Sequence, residues 1–310
     1  MSLVPGKGLL AEAGARGRAV GAFNFSNLEF LQAIVAAADA KQTPVILATS
    51  EGATSYAGIK YIVAMARAAA ESTEVPLSLH LDHGRDLKLI QRCIESGYTS
   101  VMIDASHLPF DENVRQTRAV VEMAHPAGVS VEAELGRLVG REDAVIVAER
   151  EALLIDPAEA ARFVADTGVD SLAPAIGTAH GAFKFKGEPR LDFDRLEKVK
   201  KATGGLPLVL HGASSVPPSL IEKCTRYGID VKGARGVPEA DVVRAIKLGV
   251  SKINVDTDLR LAFAAEVRHA FQEQPKDFDP RHYLGRGRDA VRELVEQKIE
   301  LFGPTRQPHS

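Results

Sequence analysis

The chain has 310 residues, with 38 Lys and Arg against 41 Asp and Glu, a net charge of −3, 45% hydrophobic residues and 25% charged ones. This is the composition of an ordinary soluble globular protein without the basic excess of a nucleic-acid binder. No window approaches the run of about 20 apolar residues that a membrane span needs, and the opening MSLVPGKGLL lacks the apolar core of a secretory signal. The expectation is a cytoplasmic protein with neither nucleic acid nor membrane as partner.

Short β-branched or apolar runs alternate with longer amphipathic runs, and the pattern repeats without an obvious linker. The GKGLLA at 6–11 fits G-x-G-x-x-A nominally, but no strand precedes it, so it fails as a dinucleotide fingerprint. Strands are expected near 19–26, 44–50, 76–83, 100–105, 129–135, 171–177, 207–213 and 252–257. Helices fall between them: 28–41 follows Ser26-Asn27 as a cap candidate, 111–125 opens on Asp111 and Glu112 at its positive end, and 239–248 precedes the last strand.

Each gap between strands is long enough for a crossover helix, so the sheet should be parallel. Eight such units predict one domain over 1–310, a (β/α)8 TIM barrel, with a doubly wound sheet as the alternative. Segments 136–156 and 178–192 follow strands five and six and are longer than a connection requires, which marks them as active-site loops. After 214 come Pro217-Pro218, a short helix and an excursion over 228–238, and a C-terminal helical extension closes the chain.

The only cysteines, Cys93 and Cys224, have neither CxxC spacing nor a local cluster, so a bound metal must rely on His, Asp or Glu. Three histidines precede glycine at the end of an expected strand: Asp82-His83-Gly84, Ala179-His180-Gly181 and Leu210-His211-Gly212. A lone histidine there is usually just hydrogen-bonded. In a parallel barrel, however, all strands open their C-terminal ends on one face, so imidazoles from strands three, six and seven converge; three imidazoles with an open position make a catalytic zinc site. His80, three residues before His83, should point to the other side of the pleat and play a supporting or structural part. His107, His125, His269, His282 and His309 receive no role.

Carboxylates also end strands: Asp82, Asp104, the alternating Glu132 and Glu134, and Asp256. Glu132 and Glu134 share one face of the pleat, and burial there would be costly unless a metal or a cation pairs with them. Strand seven runs into Gly212, Ala213 and Ser214, and strand eight into Asn254, Val255, Asp256 and Thr257. Small and hydroxyl residues at these two positions offer backbone N–H groups to phosphate, which favours a phosphorylated substrate.

These motifs, in order GAFNFSN, LDHG, SVMIDAS, VEAELG, GTAHG, LHGASS, INVDTDLR and FDPRHYLG, resemble the class II zinc-dependent ketose-bisphosphate aldolases over nearly the whole chain. The resemblance implies reversible cleavage of fructose 1,6-bisphosphate into two triose phosphates, the alternatives being the tagatose sugar that differs at C4 or another ketose phosphate cleaved by a metal-dependent lyase. It implies His83, His180 and His211 as zinc ligands, with Asp82 as proton donor to the aldehyde oxygen. Asp104 and Glu134 resemble ligands of a second divalent or monovalent cation.

The family's mobile loop carries a base, and Gly140-Arg141-Glu142-Asp143 aligns Glu142 with it, Arg141 replacing an acidic neighbour. Gly181, Gly212 to Ser214 and Asn254 to Thr257 resemble the dihydroxyacetone-phosphate site. Asn24, Ser50 and Arg281 match substrate contacts, the arginine reaching across from a neighbouring subunit of a homodimer or homotetramer. Cobalt or another divalent ion could replace zinc, since three imidazoles do not fix metal identity.

Competing readings are a lysine imine aldolase, a metal-dependent hydrolase and a sugar-phosphate-binding scaffold. No lysine ends an expected strand, Lys252 opening strand eight and Lys184 lying in a loop, which disfavours the imine.

Overall fold

The computed structural model describes residues 2–136, 139–142, 145–147, 154–177, 179–180 and 191–303. Its strands are β1 Val20–Asn24, β2 Val45–Ser50, β3 Leu77–Gly84, β4 Ser100–Ile103, β5 Ser130–Leu135, β6 Val139–Glu142, β7 Val145–Val147, β8 Ser171–Pro174, β9 Ala179–His180, β10 Leu208–Leu210 and β11 Val250–Val255. Eight of them close into a parallel barrel in the order β1-β11-β10-β8-β5-β4-β3-β2, the closure made by β1 against β2. These are the eight strands expected from the sequence, each within a few residues of its expected bounds. The doubly wound alternative is excluded, because that sheet would be open.

The helices are α1 Gly6–Ala15, α2 Leu28–Ala40, α3 Glu51–Ala57, α4 Ile59–Glu71, α5 Leu87–Ser96, α6 Phe110–Ala124, α7 Pro157–Thr167, α8 Phe193–Ala202, α9 Pro218–Arg226, α10 Glu239–Lys247, α11 Thr257–Glu273 and α12 Pro280–Phe302. Asn27 caps α2 by accepting from Phe30 N at 3.1 Å, as the sequence anticipated. No helix among the described residues is long and apolar enough to cross a membrane.

Side chains separate into an outer and an inner layer along each strand, because successive residues of a pleated strand face opposite sides. In β3, Leu77, Leu79 and Leu81 join the large apolar layer between sheet and helices, as do Val131, Ala133 and Leu135 of β5. The intervening residues, Ser78, His80 and Asp82 or Glu132 and Glu134, turn inward and are buried.

The inside changes character along its axis. At the N-terminal end Val20, Ala22 and Ile46 pack with Leu9, Leu10 and Ala13 of α1 in a separate small apolar cluster. The discarded GKGLLA motif thus belongs to a helix that plugs the barrel floor, anchored where Val4 N donates to Leu77 O and Lys7 N to Ser130 Oγ. Above this plug the interior is polar.

The long segment after the fifth barrel strand is more than a loop. It contains the antiparallel pair β6 and β7, and β6 also pairs in parallel with β9, aligning Gly140 with His180. At the other end of the chain, α12 runs for 23 residues against α2 and α11, and its Phe302 carbonyl accepts from Ala19 N at the foot of β1.

Candidate active site

Strict alternation along β3 would turn Asp82 inward and His83 outward. His83 instead takes a left-handed conformation, φ 48°, and the β3–β4 register shifts between Leu81 and Gly84. The kink swings the imidazole back over the barrel mouth. Strained backbone of this kind persists only where its surroundings hold it, and here they do. A Cβ at Gly84 would lie 2.7 Å from Met102 O and 2.9 Å from both Ile90 Cγ1 and Leu81 Cδ2, so only glycine fits the next position. The expectation for His80 is corrected on one point: alternation already turns it into the barrel, below the mouth, and the kink at position 83 brings His83 to that same interior side.

His211 follows β10 directly and is buried, and Gly212 after it has φ 61°. Its Nδ1 stands 2.8 Å from His83 Nε2, with the rings edge to face at a centroid distance of 4.4 Å. Asp82, His83 and His211 each offer a ligand atom within 4.8 Å of the others, all buried. Asp82 is clamped from two sides: Asn24 Nδ2 donates to Oδ2 at 2.9 Å and Asn254 Nδ2 to Oδ1 at 2.8 Å. Burial works against its charge, but His83, His211 and Lys252 outweigh that, and the carboxyl stays ionised well below the usual range.

His83, Asp104 and Glu134 form a second group that could hold a cation. Asp104 Oδ2 lies 3.3 Å from His83 Nδ1, and Glu134 Oε2 lies 3.8 Å from it. Asp104 also accepts from Arg85 Nε at 2.9 Å and pairs closely with Arg85 Nη2, while Ser106 Oγ donates to its other oxygen at 2.7 Å. Burial opposes its ionisation, and His83 and Arg85 more than reverse this, holding the carboxyl well below its ordinary value.

Of the residues expected to bind substrate, Asn24 and Asn254 are buried beside Asp82, and the Oδ1 atoms of both are buried without a hydrogen-bond partner among the described residues. Ser50, opposite Asp82 in the β2–β3 register, caps α3 by accepting from Ala53 N at 3.2 Å. Ala213, Ser214 and Val255 are buried, and Thr257 starts α11 just after Asp256, whose carboxylate pairs with Arg260 at 2.7 Å. Among the described residues no contact brings Arg281 to this cluster: its side chain is 85% exposed and paired with Asp279 at the start of α12. His180 and Glu142 are described as backbone only, and Gly181 lies outside the described residues.

Sequence reasoning missed several supports. Asp258, fully buried, accepts from Ser215 N at 3.1 Å and Val216 N at 3.0 Å, with Lys298 Nζ of α12 at 3.4 Å, and so shapes the turn after the seventh barrel strand. Lys252, passed over because it opens its strand, is 1% exposed inside the barrel with Nζ 2.7 Å from Glu132 Oε2. Polar residues at every second position of an otherwise apolar strand were the available signal: His80 and Asp82, Glu132 and Glu134, Lys252 and Asn254.

Comparison with known proteins places this arrangement. The family model described as "Fructose-bisphosphate aldolase class-II" matches residues 4–232 and 230–307. The fructose-bisphosphate aldolase of Thermus caldophilus is 51% identical over 301 residues, covering 97% of this chain and 98% of that protein. That of Helicobacter pylori strain 26695 is 48% identical over 302 residues, with 97% and 98% covered. The crystal structure of the YdjI aldolase from Escherichia coli K12 superposes with a TM-score of 0.80 at 34% identity, covering 97% of this chain and 98% of that one. Matched end to end by the family model and by relatives at about half identity, the chain belongs to the class II fructose-bisphosphate aldolase family.

Proposed function

We propose that this chain catalyses the reversible aldol cleavage of fructose 1,6-bisphosphate to dihydroxyacetone phosphate and glyceraldehyde 3-phosphate, using a divalent metal, zinc, at the barrel mouth. The observation that carries the reading is the buried convergence of Asp82, His83 and His211, from two separate strands, on one point. The donor set fits such an ion: two imidazole nitrogens facing one another at 2.8 Å, a carboxylate alongside, and no cysteine nearby. His83 Nε2 and His211 Nδ1 would hold it, with His180 as the third ligand. When bound, such an ion supplies a Lewis acid for the ketone carbonyl.

The chain's own groups do the rest. Asp82 gives a proton to the aldehyde oxygen in the direction of synthesis and takes it from the C4 hydroxyl in cleavage. The two amide clamps hold its carboxylate in one orientation, and His83, His211 and Lys252 keep it ionised, the form able to take a proton. Glu142 removes the proton beside the carbonyl during synthesis. The β6–β9 pairing supports that role, because it ties the strand bearing Glu142 to the one bearing His180. Gly181, the turn from Gly212 to Ser214 and the segment from Asn254 to Thr257 bind one phosphate through backbone N–H groups and the N-terminus of α11. The orphaned Oδ1 atoms of Asn24 and Asn254 are available to substrate hydroxyls. Ser50 lines the same face, and exposed Arg281 supports a homodimer or homotetramer in which it meets a neighbouring subunit's substrate.

Triose-phosphate release from fructose and tagatose 1,6-bisphosphates, with wild type and His83→Ala, each with EDTA or added zinc, tests the reading. Cleavage of fructose bisphosphate that EDTA and the mutation both abolish is the expected result. Activity surviving complete chelation would overturn the metal assignment, and metal binding without cleavage of the fructose sugar would overturn the substrate assignment.

A further inference from the structure

Beneath the metal-binding cluster lies a second buried polar layer that the reaction as described does not use. Lys252 Nζ is 2.7 Å from Glu132 Oε2 and 3.2 Å from His80 Nε2; His80 Nδ1 is 2.8 Å from Ser100 Oγ; and Glu132 Oε1 is 2.7 Å from His211 Nε2. His80, Glu132 and Lys252 are each 1–2% exposed. Charges buried this deeply are poor stabilisers, since apolar side chains of similar volume would pack there at least as well. The layer therefore calls for another explanation.

Donor and acceptor chemistry supplies one. A lysine amino group that is charged only donates, so His80 Nε2 must accept, and His80 Nδ1–H donates to Ser100 Oγ. An ionised carboxylate only accepts, so the hydrogen between Glu132 and His211 sits on His211 Nε2. The second ring nitrogen, Nδ1, is then left with its lone pair facing His83 and Asp82, which is the form a metal requires. The buried Glu132 carboxylate has its counter-charge in Lys252 Nζ at 2.7 Å. Burial and the nearby Lys252 push His80 down to about 3, consistent with a neutral ring.

We propose that Glu132, held by Lys252, is a positioning residue that locks His211 in the tautomer presenting Nδ1 to the metal. The inference rests on the metal-site reading above. It makes a prediction that a merely structural ion pair does not. In Glu132→Gln the side chain keeps its shape but has one oxygen and one NH2. Lys252 can only donate, so it takes the oxygen; the NH2 then faces His211 Nε2, which must give up its hydrogen, and the proton moves to Nδ1. The wrong nitrogen is protonated in a pocket whose shape has not changed. Removing the lysine as well, in Glu132→Gln/Lys252→Met, frees the amide to turn over and accept from His211 again.

The experiment measures zinc affinity by chelator competition on the full chain, independently of turnover, with the His211 tautomer read from two-bond 15N–1H couplings in protein labelled at histidine. Glu132→Gln should bind zinc about 10–100-fold more weakly with its ring in the Nδ1–H form, and the double variant should recover most of the affinity and the Nε2–H form. Wild-type affinity in Glu132→Gln, or a double variant that binds no better than the single one, would overturn the proposal. A wild type that binds no zinc would overturn the metal-site reading itself, and circular dichroism of each variant reports folding separately.

Discussion

Replacing Asp82 with Asn separates proton transfer from architecture, because the surrounding amides can absorb the change. In the native site Asp82 accepts one hydrogen bond from Asn24 Nδ2 and one from Asn254 Nδ2. An asparagine offers only one oxygen, so one clamp loses its acceptor. Asn24 Oδ1 and Asn254 Oδ1 are both buried without a hydrogen-bond partner among the described residues, so either amide can turn over and accept from the new NH2. The hydrogen-bond count is conserved. What is lost is the extra strength of bonds to a charge, about 1 kcal/mol each, partly offset by no longer burying that charge. The stability change should stay within about 2 kcal/mol. The chemical step loses its proton carrier, which costs about 10²–10⁴-fold in kcat, or roughly 3–5 kcal/mol of barrier. The assay is coupled triose-phosphate release, normalised to bound metal, beside urea denaturation of the same preparation. A kcat within tenfold of wild type at equal metal content would refute Asp82 as the proton-moving group.

Gly84→Ala forces a Cβ against Met102 O at 2.7 Å and two core carbons at 2.9 Å; it should destabilise the fold by about 1–3 kcal/mol and weaken metal binding through His83, and an unchanged urea midpoint would refute this account of the turn. Glu266, which accepts from Lys223 Nζ at 2.5 Å and Arg286 Nη2 at 2.8 Å, has its pKa lowered to about 2, burial opposing the shift and Lys223 leading the groups that cause it. A folded pKa below the unfolded one means the stabilisation is complete above pH of about 4.5 and disappears as pH falls towards 2. Glu266→Gln should therefore cost about 1–2 kcal/mol at pH 7 and almost nothing near pH 2, and a pH-independent difference in unfolding free energy would contradict the assignment.

The barrel was legible because period and length suffice for it: eight apolar runs, each with room for a crossover helix, allow few other closures. The His-Gly pairs were legible for a related reason, since glycine after a strand-end histidine has a backbone cause, seen in the crowding around Gly84 and in the left-handed Gly212. The exact pointing of His83 was not legible. Alternation along β3 turns it outward, and only a positive φ, invisible to a period-2 reading, brings it back. Helix α1 was missed because GKGLLAEAGA carries three glycines, at 6, 8 and 14, and a weakly amphipathic pattern; its place is set by the barrel floor it fills. Arg85 on Asp104, Asn24 and Asn254 on Asp82, and Lys298 with Asp258 were equally hidden, since each pairs residues whose proximity exists only once the barrel has closed.

The position of Lys252 shows how far a local rule can mislead. Read along the chain, a lysine near the start of a strand sits on the face opposite the chemistry, and the inference that it forms no imine with substrate was drawn from that. Read in space, it lies one layer below the cluster, because β3, β5 and β11 bring residues 80, 132 and 252 to one level and residues 82 and 254 to the next. The amine is engaged by Glu132 and His80, so it is already occupied. The same geometry gives the interior its order: an apolar plug at the floor, a charged layer in the middle, and carboxylates and imidazoles at the mouth. A charged layer is tolerable there only because every charge has its partner within the layer or directly above it. That reciprocity ties His211 to Lys252 through Glu132, so a lysine one layer below the mouth is linked to the imidazole through a single shared carboxylate.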